Sequence, residues 1–124
     1  MGERFSLKKR ADSFKYAGKG FKRFIRKEHN AWIHSAAIII VTTAGCCFGI
    51  TPWEWTAVVI CFGLVLSAEA FNTAIERLVD FVSPAQHPLA GEVKDIAAGA
   101  VLIAAFAAAV VGAIIFIPYI SKLI

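Results

Sequence analysis

Between Ile96 and Ser121 the chain runs 26 residues without a charged side chain. A helix crosses the hydrocarbon of a bilayer with about 20 mostly apolar residues, so this run is long enough to span one. Two further stretches have the same character. Ser35 to Trp53 carries no charge, and neither does Trp55 to Ala68, after which the apolar pattern continues past Glu69 to Val82. The chain has 124 residues, of which 58% are hydrophobic, against roughly 45–50% in soluble domains even with glycine counted. A water-soluble core of this size could not hide so much apolar surface. The expected fold is an all-α membrane protein with transmembrane helices over 33–50, 54–82 and 93–120, preceded by an interfacial segment over 1–27. All of it forms one domain, 1–124. The first thirty residues are basic and precede the first apolar run, which does not resemble a cleavable signal peptide.

Lysine and arginine predict the orientation. Ten of the thirteen precede Glu28; Arg77 and Lys94 flank the second connection, and the turn at 51–54 has none. Basic segments stay on the cytoplasmic side. The chain is therefore expected to be multi-pass, with the N-terminus and the 83–92 loop in the cytoplasm and the 51–54 turn and C-terminus outside. The net charge of +4 then belongs to a membrane-facing arm, and no nucleic-acid partner is expected. Cys46, Cys47 and Cys61 lie inside apolar spans at a spacing that suits neither zinc nor redox chemistry.

Wound as a helix from Leu7 to Arg26, the arm places Leu7, Ala11, Phe14, Ala17, Phe21 and Ile25 within a band of about 120°. Lys8, Lys15, Lys19, Lys22, Arg23 and Arg26 gather on another side. Such a helix lies on the membrane with its cations near anionic head groups. Arg10 projects near the apolar band instead, where it could snorkel or grip a phosphate. The stretch AGKGFK lacks the spacing of a phosphate-binding loop.

The stretch LSAEAFNTAIERLVDFVS, 66–83, sets Glu69, Asn72, Glu76 and Asp80 into an apolar helix. At 100° per residue all four fall within about 80° of one another. A polar stripe on such a helix must face protein, water or ligand rather than lipid. Sixteen residues inward from Trp53 rise about 24 Å, which leaves Glu69 just inside the inner edge of a core about 30 Å thick. Glu76 lies about 10 Å further along and Asp80 about 6 Å beyond that. Glu28, Lys94 and Asp95 reach the same inner level, so a carboxylate-rich cluster is expected there. Crowded carboxylates call for a cation, and magnesium commonly arrives with nucleotide phosphates. Desolvation favours the neutral form of a carboxyl group, which suits Glu69 to take a proton from a hydroxyl at lipid depth. Phosphoryl transfer needs chiefly positioning and charge neutralisation. An Mg-ATP-dependent lipid kinase meets these demands. Two other readings compete: polar cross-links between helices, and a small proton- or cation-conducting membrane oligomer with Glu69 as its ion site.

The stretches SFKYAGKG (13–20), EHNAWIH (28–34), EW (54–55), EAFNTAIERLVDFVSPAQHPLA (69–90) and KDIAAGAVLIAA (94–105) resemble the small prokaryotic membrane kinases, the diacylglycerol kinase and undecaprenol kinase family. The resemblance implies a bacterial inner-membrane enzyme with three transmembrane helices and an amphipathic N-terminal helix. It also implies a homotrimer with sites at subunit boundaries and use of MgATP to phosphorylate a lipid alcohol. Carried over by residue, Glu69 is the catalytic base and Glu28 and Glu76 bind magnesium. Lys94, Asp95, Tyr16 and His87 contact ATP together with the magnesium carboxylates. Arg10 serves lipid or phosphate, Asn72 lies beside the substrate, and Asp80 supports the site. Asn30, like Glu28 and His34, is similar to the undecaprenol kinase branch, so undecaprenol is favoured over diacylglycerol. The chain departs from that branch at Trp32, where arginine is common, and at Gly91–Glu92. Ala108 and Gly112 form a small-xxx-small pair that suits close helix approach in an oligomer. Trp53, Trp55 and Tyr119 are expected in the outer aromatic belt.

Overall fold

A computed structural model of the chain describes residues 4–27 and 29–124. Among these it contains four helices: α1 (Leu7–Lys27), α2 (His29–Phe48), α3 (Pro52–Val82) and α4 (Pro88–Ser121). By length and composition, α3 and α4 can each cross a membrane, and α2 adds a shorter apolar helix over Trp32–Phe48. α2 and α4 start earlier than the expected spans, while α3 ends at Val82 as expected. The difference is largest for α4, which starts at Pro88 rather than 93. Its 34 residues rise about 51 Å, more than the roughly 40–45 Å of a whole bilayer. Hydropathy marks only the immersed part of such a helix. Local capping sets its start: Pro88 occupies the first turn, where no amide is needed, and His87 Nδ1 accepts from the Leu89 amide at 3.1 Å.

The turn between α2 and α3 is fixed by three residues. Gly49 adopts φ +65°, which a residue with a Cβ resists. Ile50 N–H then donates back to the Gly45 carbonyl at 3.1 Å, the six-to-one bond of a Schellman close. Thr51 caps the next helix. Its hydroxyl accepts from the Glu54 amide at 3.2 Å, and its own amide donates to Glu54 Oε1 at 2.9 Å, a reciprocal capping box.

The helices pack at the end of the bundle that holds this turn. Ile50, Val58 and Ile115 form a buried cluster flanked by Val41, Phe48, Trp55 and Phe116. The Phe48 ring stacks on Tyr119 with centroids 5.7 Å apart. Tyr119 O–H donates to Glu54 Oε1 at 2.5 Å, tying the start of α3 to the end of α4. Trp53 is exposed, as a belt residue would be, whereas Trp55 is half-buried and packs inward against Gly45. A Cβ at Gly45 would meet the Trp55 ring at 2.6 Å. Further in, α3 packs chiefly on α4, with α2 against α3.

The arm has the expected form, and its stripe faces outward: Leu7, Phe14 and Phe21 are exposed while Phe24, just beyond the stripe, is buried. Trp32 Nε1–H donates to the Ile25 carbonyl at 3.0 Å, so Trp32 joins α2 to α1. Large apolar side chains such as Ile60, Phe71, Leu102 and Phe106 stand exposed on α3 and α4. Lipid or another copy of the chain must cover that surface.

Gly45→Ala is expected to push the Trp55 ring away and destabilise the bundle by about 1–3 kcal/mol, as overpacking does. The checks are thermal unfolding in detergent and tryptophan emission. An unchanged midpoint and spectrum would contradict this packing.

Candidate functional site

The C-terminal half of α3 buries three polar side chains: Glu69, Asn72 and Thr73, exposed by 4%, 9% and 7%. Their i, i+3, i+4 spacing puts them on one helical face. Glu76 is half-buried one turn on, and Asp80 is exposed at the end of the stripe. The polar face therefore runs from buried to open along one helix, as its spacing predicts.

Glu69, Asn72 and Asp80 each meet a polar partner, Glu69 and Asp80 on a neighbouring helix and Asn72 within α3. Glu69 Oε1 lies 2.8 Å from Nε2 of His34 on α2, so a carboxylate inside the bundle meets a group that can donate to it. Asn72 Nδ2 donates to Glu76 Oε1 at 3.2 Å, one turn along α3. Asn72 Oδ1 is buried and lacks a partner among the described residues, an acceptor left open to an incoming donor. Lys94 Nζ reaches Asp80 Oδ1 at 2.5 Å and joins α4 to α3. That pair is partly exposed, so it contributes at most about 1 kcal/mol to stability.

Two clefts adjoin the stripe. One is apolar, about 330 Å³, and lies among α2, α3 and α4; Ala37, Val41, Val65, Ala108 and Gly112 line it, and His34 is its most polar lining residue. The other is open and lies beside the 83–87 turn, where Asp80, His87 and Lys94 share its lining.

The expected site residues divide accordingly. Glu69, Asn72 and Glu76 share the buried face. Asp80, Lys94 and the His87 loop gather beyond it. Asp95 and Asn30 are exposed on α4 and α2, and Tyr16 is exposed on α1. The Arg10 guanidinium sits over the Phe5 ring, 5.5 Å from its centre, in a shallow polar cleft at the start of α1. Glu28 lies outside the described residues. Among the described residues no three acidic, histidine or cysteine side chains come together as a metal cluster. The polar groups pair off instead, because His34, the Asn72 amide and Lys94 each take one carboxylate. Magnesium needs only one or two carboxylates besides phosphates and water. Glu76, with one oxygen held by Asn72, fits that role, and the described residues offer no all-protein cage.

Two members of the site were missed in the sequence. Thr73 follows Glu69 by four residues, so its position on the stripe could have been read. The His34 pairing crosses between helices 35 residues apart, and its only signal was a titratable residue at the head of an apolar run.

The model of the prokaryotic diacylglycerol kinase family matches residues 15–116. Undecaprenol kinase of Bacillus subtilis is 39% identical over 106 residues, covering 86% of each chain. Diacylglycerol kinase of Synechocystis is 36% identical over 107 residues, 86% of this chain and 61% of the relative. Diacylglycerol kinase of Escherichia coli K12 is 30% identical over 87 residues, 64% of this chain and 71% of the relative. The chain belongs to the prokaryotic diacylglycerol kinase family.

Proposed function

We propose that the chain is an Mg-ATP-dependent lipid kinase that phosphorylates the hydroxyl of a membrane lipid alcohol, undecaprenol first and diacylglycerol as the alternative. The observation that carries this reading is the placement of Glu69: buried, held by His34, and joined through it to the apolar cleft among α2, α3 and α4. An ionisable group in that setting is rarely kept for packing alone. Undecaprenol is preferred because the relative of that name is 39% identical and matched over 86% of its length.

Glu69 removes the hydroxyl proton. The lipid oxygen bonds to the terminal phosphorus as the bond from that phosphorus to the ADP oxygen breaks, and the proton passes from Glu69 to water. Asn72 Oδ1, the open acceptor, receives a hydrogen bond from the bound substrate. Glu76, with Glu28, would hold magnesium, which when bound would supply charge neutralisation on the phosphates. Lys94 and Asp95 meet the nucleotide beside the His87 cleft, with Asp80 restraining Lys94. Tyr16 and Arg10 approach from the arm, Arg10 toward lipid or phosphate. Asn30 supports the inner mouth of α2.

The three apolar helices span the bacterial inner membrane with the N-terminus in the cytoplasm, as the basic arm favours. The exposed apolar faces of α3 and α4 suit a homotrimer, whose subunit boundaries would bring the arm residues of one copy toward the stripe of another.

Glu69→Gln should insert normally and lose at least ~100-fold in turnover, the scale of a lost general base. Transfer of labelled terminal phosphate to lipid measures this, and turnover at the parent rate would remove the base assignment. Glu76→Gln should raise the magnesium needed for half-maximal rate by about tenfold or more, the scale of a lost contact to a charged group. An unchanged magnesium titration would remove Glu76 from the metal site. Offered undecaprenol and diacylglycerol in competition, the parent should label undecaprenol preferentially; preferential labelling of diacylglycerol would reverse the substrate assignment.

A further inference from the structure

We propose that His34 is a positioning residue for Glu69: its Nε2–H donates to Oε1, fixes the rotation of the carboxylate, and turns Oε2 toward the substrate hydroxyl. The inference rests on the lipid-kinase reading and adds a residue to that site. Three observations carry it. The Nε2···Oε1 distance is 2.8 Å. Both side chains are largely withdrawn from solvent, at 20% and 6% exposure. His34 also lines the apolar cleft, so the pair sits where a hydrocarbon-borne hydroxyl would arrive. A carboxylate that is to take the hydroxyl proton only accepts hydrogen bonds, so in this role the proton of the pair lies on Nε2. A neutral Glu69 donating to a bare Nε2 would have the same heavy-atom distance, yet it could not take a proton from a substrate. The proton's place therefore decides the role. During transfer the hydroxyl proton passes to Oε2 as the oxygen–phosphorus bond forms, while the His34 hydrogen bond to Oε1 keeps the carboxylate from turning away.

Gln places an amide N–H close to where Nε2 stands, and Leu places none. The test compares parent, His34→Gln and His34→Leu, purified in vesicles containing undecaprenol with labelled ATP. His34→Leu should lower kcat about tenfold or more, the size expected when a hydrogen bond to a charged group is lost. KM for ATP should stay within about twofold, since ATP binds beyond the pair, and His34→Gln should recover most of the rate. A merely structural role would depress all parameters together and would not be rescued by Gln. Parent-like turnover in His34→Leu, or no rescue by Gln, overturns the inference while leaving a working kinase. Absence of labelled lipid with the parent overturns the kinase reading itself. A second measurement does not depend on activity: nitrogen NMR of labelled His34 should show a protonated Nε2 that responds to Glu69→Gln. A bare Nε2 overturns the assignment.

Discussion

A carboxylate buried among apolar helices must find a hydrogen-bond donor or become neutral, and Glu69 finds His34 at 2.8 Å. The rest of the inner bundle follows from that constraint. Because His34 lies on α2 and Glu69 on α3, the bond fixes how the two helices face each other. Once that face of α3 points inward, Asn72, Thr73 and Glu76 come with it at helical spacing. The polar stripe then leads from the buried pair to Asp80, which meets Lys94 on α4. A route from an apolar cleft to a solvent-facing ionic level is thereby built on one helix.

Rigidity comes from the opposite end. The Gly49 close, the Thr51–Glu54 capping box and the Tyr119–Glu54 bond lock the ends of α2, α3 and α4 nearest this turn around Ile50, Val58 and Ile115. The division suits the proposed chemistry. The turn and its caps are separated along the helices from the residues that would meet a nucleotide, while the apolar cleft extends from His34 to Val58 and Phe116 beside the buried cluster.

Much of this was legible in the sequence. Long uncharged runs have few structural solutions, so the helical membrane architecture followed from Ile96–Ser121 and its two counterparts. The stripe from Glu69 to Asp80 was legible because helical periodicity is local. The start of α4 was read too short, since the helix begins at Pro88 behind the capping residue His87, which hydropathy does not weigh, whereas α3 ends at Val82 as read. Pairings between helices were not legible. His34 with Glu69 and Tyr119 with Glu54 join residues 35 and 65 positions apart, and no periodicity connects them. The expected carboxylate cluster illustrates the same limit: spacing brought the acids to one level, but only the packing shows that each described partner answers a single acid.

On the proposed reading this stripe carries phosphate from a nucleotide to a greasy alcohol rather than an ion across the bilayer. Purified protein in sealed vesicles that contain a lipid alcohol, supplied with terminally labelled ATP, separates the two. Labelled lipid phosphate and a maintained ion gradient are the expected result. Dissipation of the gradient with no labelled lipid would contradict that reading.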